Sequence, residues 1–178
     1  MTQNGANGPA RRRIEVDPER APAVLPAAVL HEVFAHAREA DPEECCGLVT
    51  GDEREPWRQV VRCRNDMTLH HRREPAAYPR DGREGFYMNE QDYLRAEDEA
   101  EARGERVTCV YHSHVGCGAW FSELDQEFAD QPLFPFPEAS HLVVSVIGGK
   151  VVDQALFVRE PGAPGAGFSG RLVVHGRW

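Results

Sequence analysis

The sequence lacks a long hydrophobic segment. Hydrophobic residues make up 41% of its 178 residues, yet no apolar run approaches the ~20 residues that a membrane-spanning helix requires. The basic residues near the N-terminus are not followed by the apolar stretch of a secretory signal. These absences predict a cytoplasmic protein without a membrane anchor.

Clusters of positive charge are also scarce. The formal net charge is -9, whereas binding to a phosphate backbone relies on clustered Lys and Arg side chains. The most compact basic run, Arg11 to Arg13, lies in a leader rich in Gly and Asn. We therefore predict a disordered leader at residues 1–22 and no nucleic-acid partner.

The cysteines do not follow the spacing of a disulfide framework. There are five, and an odd number in a chain without an export signal favours reduced thiols. Packed strand positions are predicted for Cys45, Cys46, Cys63 and Cys109. Cys117 differs, because a glycine on each side is typical of a flexible, accessible loop.

The apolar pattern predicts one α/β domain at residues 23–178, a length that suffices for a single core. Helical spacing runs from Pro26 to Asp41, and Asn89 is a candidate cap for a second helix that ends near Gly104. Residues 67–85 have no periodicity and are predicted to form a long loop.

Strands are indicated by short β-branched and apolar runs. An antiparallel pair is predicted at residues 45–50 and 59–64, and a further strand at 107–114. The turn signal Gly148-Gly149-Lys150 separates strands at 142–147 and 151–158, which suggests a hairpin. An edge strand is predicted at 172–174, after a Gly/Pro-rich linker at 161–167.

Two histidines and an aspartate are spaced as metal ligands. His112 and His114 lie two residues apart at the end of an apolar strand, so both imidazoles lie on one face. Ser122 stands where a helix should begin, and Asp125 in its first turn can face the strand end. Two imidazoles and one carboxylate leave the fourth position of a zinc ion for water, as in catalytic sites. We predict one Zn²⁺ per chain.

A metallohydrolase also needs a base that is not a ligand. Glu44 precedes the apolar strand CCGLV and is a candidate for this role. Glu43 is its direct neighbour, and position alone does not choose between the two carboxylates.

These residues together resemble a known family. His112-Ser113-His114 followed by Ser122 and Asp125 resembles the JAMM signature, an H-x-H followed by S-x-x-D, and Glu44 to Gly47 resembles its E-x-C-G element. From about Leu25 to Val158, the sequence is similar to the JAMM/MPN+ (JAB) zinc metalloproteases, in particular to small stand-alone prokaryotic members. The resemblance implies an MPN (cytidine-deaminase-like) fold, a mixed curved β-sheet with flanking helices.

The resemblance also implies roles for the site residues. His112, His114 and Asp125 would be the zinc ligands, Glu44 the general acid/base, and Ser122 a hydroxyl that steadies the oxyanion or the water. The implied reaction is hydrolysis of a peptide or isopeptide bond, with the C-terminal tail of a ubiquitin-like or sulfur-carrier protein as the expected substrate. The loops at 67–85 and 116–118 are candidates for gripping that tail by strand addition.

The sequence departs from the family at Val115, where proline usually follows the second histidine. The nearby Cys117 is itself a candidate zinc ligand, because thiolate binds zinc strongly. It would then occupy the open position and suppress activity.

Other interpretations stay open at this point. The histidines could be ordinary strand residues, and Ser122 with Asp125 also matches a helix capping box. The rival functions are a non-catalytic MPN scaffold and a cysteine-dependent hydrolase using Cys117 or Cys46. A zinc deaminase is disfavoured because its P-C-x-x-C motif is absent. The oligomeric state is not predicted.

Overall fold

The computed structural model describes residues 12–159 and 167–176, which form a mixed α/β domain. The helices are α1 (Ala27–Ala40), α2 (Met67–Arg73), α3 (Glu90–Ala102) and α4 (Glu123–Ala129). The strands are β1 (Ala23–Pro26), β2 (Cys46–Gly51), β3 (Gln59–Cys63), β4 (Arg106–Val115), β5 (Ser140–Ile147), β6 (Lys150–Arg159) and β7 (Phe168–Gly176).

The strands form one curled sheet in the order β1-β7-β6-β5-β4-β2-β3. Neighbouring strands run antiparallel, except for the parallel pairs β1–β7 and β4–β5. A parallel pair needs a long crossover connection, and α4 lies in the connection between β4 and β5. The predicted mixed curved sheet with flanking helices is therefore confirmed.

Helix α1 covers one face of this sheet. Its buried residues are Val29, Leu30, Val33 and Ala37, which recur at helical spacing. They pack with Tyr111 of β4 and with apolar residues of β5 in a single buried cluster. Successive strand residues point to opposite faces, so the neighbours of Tyr111 in β4 face away from α1.

Helices α3 and α4 lie on the opposite face. Ala96 of α3 is buried against Leu48 and Val110, and Ala129 of α4 belongs to a third cluster with Phe121 and neighbours from β5 and β6. This face therefore has its own apolar support around the end of β4.

Several predicted elements are confirmed. The predicted pair of strands is β2 and β3, which are antiparallel, and the predicted hairpin is β5 and β6. Gly148 and Gly149 join them with φ of 59° and 72°, values typical of a tight hairpin turn with glycines. Asn89 caps α3 by accepting the amide of Asp92.

Two predictions need correction, and one strand was not predicted. Residues 67–85 are not all loop, because α2 occupies the first seven of them. Its residues are not buried, so no apolar stripe marks it in the sequence. The predicted edge strand is part of β7, which is not an edge because β1 pairs on its outer side. Strand β1 has only four residues, too few to show alternation.

The predicted leader lies partly within the described residues. Ile14 exchanges backbone hydrogen bonds of 2.9 Å with Phe121 in both directions, and Val16 forms a bridge with Gly170. The chain from residue 12 onward is thus bonded to the domain instead of forming a free leader. Residues 1–11 of the predicted leader and 161–166 of the predicted linker lie outside the described residues.

None of the described helices is both long and apolar enough to cross a membrane.

Candidate metal centre

Strand β4 brings two imidazoles to the same face of the sheet. His112 and His114 are buried near its C-terminal end, and their Nε2 atoms are 3.2 Å apart. Nδ1 of His114 lies 2.9 Å from the carbonyl oxygen of Gly118. A carbonyl only accepts, so Nδ1 carries the proton, and in the neutral ring Nε2 keeps its lone pair for a metal.

Helix α4 brings the carboxylate. Ser122 is its N-cap and forms a complete capping box with Asp125: the Ser122 hydroxyl accepts the amide of Asp125, and Oδ2 of Asp125 accepts the amide of Ser122 at 2.8 Å. This local structure turns Asp125 toward β4. Its Oδ1 lies 3.3 Å from Nε2 of His112, and its Oδ2 lies 3.4 Å from Nε2 of His114.

The three side chains are close enough together to hold one metal ion. His112, His114 and Asp125 are the group of described residues whose ligand atoms lie close enough to hold an ion. A tetrahedral zinc ion with bonds of about 2.0–2.1 Å places its ligand atoms about 3.3–3.4 Å apart. The two Nε2 atoms are 3.2 Å apart, and each lies 3.3–3.4 Å from a different oxygen of Asp125. One ligand atom from each residue lies within 4.8 Å of the other two, so the three side chains are close enough to hold one ion.

The charges within the cluster favour an ionised carboxylate. Burial opposes ionisation of Asp125, but the charges and hydrogen bonds of His112 and His114 outweigh it and hold the pKa of Asp125 well below its ordinary value. Burial also works against protonation of His114, yet its bond to Asp125 raises the pKa of His114. Two imidazoles thus share one carboxylate in a buried site. The negative charge of this carboxylate favours a positive charge at the cluster.

The structure separates the two neighbouring glutamates. Glu43 accepts the hydroxyl of Thr68 at 2.7 Å, so it is bonded to α2. Glu44 is buried and lines a cavity of about 770 Å³ together with His114, Ser122 and Asp125. Glu44 is therefore the carboxylate next to the cluster.

Burial dominates the chemistry of Glu44. It raises the pKa of Glu44 to about 8, with His114 and Arg80 lowering it and Asp125 raising it further. A cation at the cluster would favour the ionised form. A carboxyl group whose pKa lies near neutrality is well matched to proton transfer.

Ser122 lies in the same cavity, but its hydroxyl is engaged. It donates to Oδ2 of Asp125 at 2.7 Å and accepts the Asp125 amide at 3.1 Å. A hydroxyl has a single proton to donate. Its direct role here is to orient Asp125, and donation to an oxyanion would require this bond to break.

The loop at 116–118 is held in place, which differs from the predicted flexible loop. The Gly116 amide donates to Val146, and the carbonyls of Cys117 and Gly118 accept from Ser145 and His114. Cys117 is not a member of the cluster that the described residues form. Burial raises the pKa of its thiol, and Glu44 and Asp125 add to that effect.

Other residues that support the site were not predicted from the sequence. Phe86 stacks on the imidazole of His112 at 4.7 Å, and Trp120 lies edge-on to His114 at 6.0 Å. His141 is wholly buried among the rings of Phe121, Phe134 and Phe168. No motif or local spacing connects these residues with the histidine pair, so only the fold could reveal them.

Gly47 has a steric role within the E-x-C-G element. A Cβ at this position would lie 2.4 Å from the ring of Tyr111. The hydroxyl of Tyr111 lies 2.8 Å from Nδ1 of His36 in α1. Glycine therefore lets the tyrosine fill the space between β2 and α1.

The fold also occurs in other solved structures. Two solution structures are similar in fold. One is a protein from Desulfitobacterium hafniense, 22% identical, with a TM-score of 0.61 over 87% of this chain and 93% of that chain. The other is a protein from Salinibacter ruber, 24% identical, with a TM-score of 0.58 over 86% of this chain and 92% of that chain. At these identities the likeness establishes the fold alone.

Among curated proteins, no sequence gives a significant match. The family model Prok-JAB, which describes prokaryotic homologs of the JAB domain, matches residues 26–159. This range contains His112, His114, Asp125 and Glu44. The chain therefore belongs to the Prok-JAB family, the prokaryotic homologs of the JAB domain.

Proposed function

We propose that the protein is a zinc-dependent peptidase or isopeptidase that uses one Zn²⁺ per chain. The observation that carries the proposal is the buried cluster of His112, His114 and Asp125, whose ligand atoms lie within 4.8 Å of one another. Glu44 supports it, because a base that is not a ligand lies in the same cavity. JAB-type domains include hydrolases, so family membership is consistent with this activity.

The side chains divide the work of hydrolysis. His112, His114 and Asp125 would hold zinc, which supplies Lewis acidity when bound. Glu44 takes a proton from the attacking water and later returns it to the leaving amine. Ser122 keeps Asp125 oriented through its hydroxyl bond.

The cavity supports a polypeptide substrate. Aromatic and apolar side chains line it beside the cluster, including Tyr78, Phe86, Tyr87 and Phe128. Arg80 and Glu84 come from the 67–85 segment that we predicted to grip the substrate. We propose that an extended C-terminal tail of a ubiquitin-like or sulfur-carrier protein binds there, and that the chain acts in the cytoplasm.

The thiol mechanism has less support. Cys46 is fully buried, and burial raises the pKa of its thiol well above the ordinary value. Nucleophilic thiols need a lowered pKa, and the pKa of Cys117 is also raised. The remaining rival is a non-catalytic scaffold, in which the cluster would have no catalytic role.

Metal content tests the proposal first. The parent protein should retain about one zinc per chain after dialysis, as measured by mass spectrometry of the metal. His114→Ala and Asp125→Ala should lose it, since each removes a ligand. Glu44→Gln and a control at an exposed histidine, His31→Ala, should keep it.

Activity is then measured on a ubiquitin-like domain that carries one residue after its C-terminal Gly-Gly. Release of that residue should fall about 100-fold or more in zinc-loaded Glu44→Gln, because the general base is removed. A folded parent that binds no zinc would favour the scaffold. Zinc binding without cleavage would restrict the proposal to a different tail.

A further inference from the structure

The position of Glu44 depends on side chains, because it precedes β2 and lies outside the sheet pairing. Its carbonyl accepts from Nδ2 of Asn65 at 2.9 Å. The next amide, that of Cys45, donates to the hydroxyl of Ser113 at 2.8 Å. The Glu44 amide donates to the carbonyl of Gly82. Asn65 and Ser113 thus hold the carbonyl and the amide of the peptide group that follows the Cα of Glu44.

Ser113 bonds this segment to β4, the strand that carries His112 and His114. It lies between His112 and His114, and it is fully buried. Besides accepting the Cys45 amide, it donates its own amide to the Cys45 carbonyl at 3.0 Å. The base and both imidazoles are therefore connected through a single residue of β4.

Asn65 ties the same segment to the cavity wall. Its Nδ2 also donates to Gly85 at 3.1 Å, and its Oδ1 accepts the amides of Met67 and Tyr87 at 2.9 and 3.0 Å. These bonds use every donor and two acceptor positions of the amide. The wall segment that it fixes carries Phe86, the residue stacked on His112.

We propose that Asn65 and Ser113 are positioning residues that together hold Glu44 against the metal cluster, an inference that rests on the proposed hydrolase function. Neither residue lines the cavity among the described residues, so neither is placed to contact substrate. Their chemistry suits this role, because the asparagine donates to the backbone carbonyl of Glu44 and the serine accepts the adjacent amide.

The two residues should have different kinetic signatures. Ser113→Ala removes only the acceptor for Cys45, so kcat should fall while KM changes little. Asn65→Asp keeps the acceptor oxygen but replaces the two donors with a carboxylate that repels the carbonyls of Glu44 and Gly85. Both Glu44 and the cavity wall then shift, so kcat should fall and KM should rise.

The experiment uses the full zinc-loaded chain and the Gly-Gly-extended ubiquitin-like probe. Each variant should retain its zinc and lose about 10-fold to 100-fold in kcat, the cost of misplacing a catalytic group. Ser140→Ala is the matched control, because its hydroxyl donates to Thr108 at 3.1 Å in the same sheet, away from Glu44. It should stay within about twofold of the parent.

Amide hydrogen exchange gives a readout independent of activity. Exchange should quicken at Cys45 in Ser113→Ala, and at Met67 and Tyr87 in Asn65→Asp, while Ser140→Ala leaves these amides unchanged. Parent-like kcat with zinc bound, equal losses in Ser140→Ala, or loss of zinc from Ser113→Ala would each overturn the proposal.

The failures can be separated. A parent that binds zinc but does not cleave the probe contradicts the proposed substrate, and exchange rates then decide the positioning role alone: unchanged exchange in both variants overturns it. If Asn65→Asp does not fold, Ser113→Ala decides for the pair.

Discussion

At the scale of single residues, close contact explains why the E-x-C-G glycine is required. Ala at position 47 would place its Cβ 2.4 Å from both the Tyr111 ring and the carbonyl oxygen of Val61. Neither neighbour can retreat freely, since Tyr111 is fully buried and Val61 belongs to β3. The glycine therefore supports the packing of Tyr111, which belongs to β4, the strand of His112 and His114.

Gly47→Ala should lower the free energy of unfolding by about 3 kcal/mol, the upper range for overpacking a core. Urea denaturation of the metal-free protein measures the loss. Gly167→Ala is the control, because its Cβ would meet no atom of the described residues within 4 Å. Equal stability of the two variants would contradict the steric explanation.

The sequence predicts that His112, His114 and Asp125 come together, as they do in the structure, but it does not predict the residues that support them. His112, His114 and Asp125 are close in sequence, and their spacing along a strand and a helix start places them together in the fold. Asn65 and Ser113 act through long-range hydrogen bonds to Glu44 and Cys45, which no periodicity encodes. The choice between Glu43 and Glu44 likewise needed the position of Thr68.

At the scale of elements, long periodic segments were predictable and short ones were not. Helix α1 buries a regular stripe, and the β5–β6 hairpin has a glycine turn. By contrast, α2 has no fully buried residue and β1 has four residues. Short elements form because neighbours stabilise them, so their own residues give a weak signal.

The glycine turn provides a test of the hairpin. Gly149→Ala should destabilise the protein by about 1 kcal/mol, because a side chain is strained at positive φ. Gly149→Asn should cost less, since Asn tolerates that conformation. The nearest atom to a Cβ here is 3.8 Å away, so any loss in urea denaturation reflects the backbone. Equal losses for Ala and Asn would argue against this origin.

At the scale of the whole molecule, buried histidines link stability to acid. Burial lowers the pKa of His141 from 6.5 to about 3, and His112 adds to the effect. Between about pH 6.5 and pH 3, His141 therefore binds a proton in the unfolded chain but not in the folded chain. The stability present above pH 6.5 is lost progressively as the pH falls toward 3.

Replacing His141 should reduce this acid sensitivity. Between pH 7.5 and pH 5, the unfolding free energy of the metal-free parent should fall by about 2 kcal/mol more than that of His141→Leu. Urea denaturation at each pH measures the difference in slope, so a constant packing cost cancels. His36, whose pKa is lowered to about 4 chiefly by burial, titrates in both proteins. Parallel pH profiles would exclude His141 as the cause.

The edge-on contact between Trp120 and His114 has an optical consequence. An indole 6.0 Å from a cluster imidazole is a fluorophore placed beside the site itself, whereas Trp57 packs near the core cluster under α1. We expect the emission of Trp120 to respond to a charge at His114, so fluorescence should report metal binding there before any substrate is known.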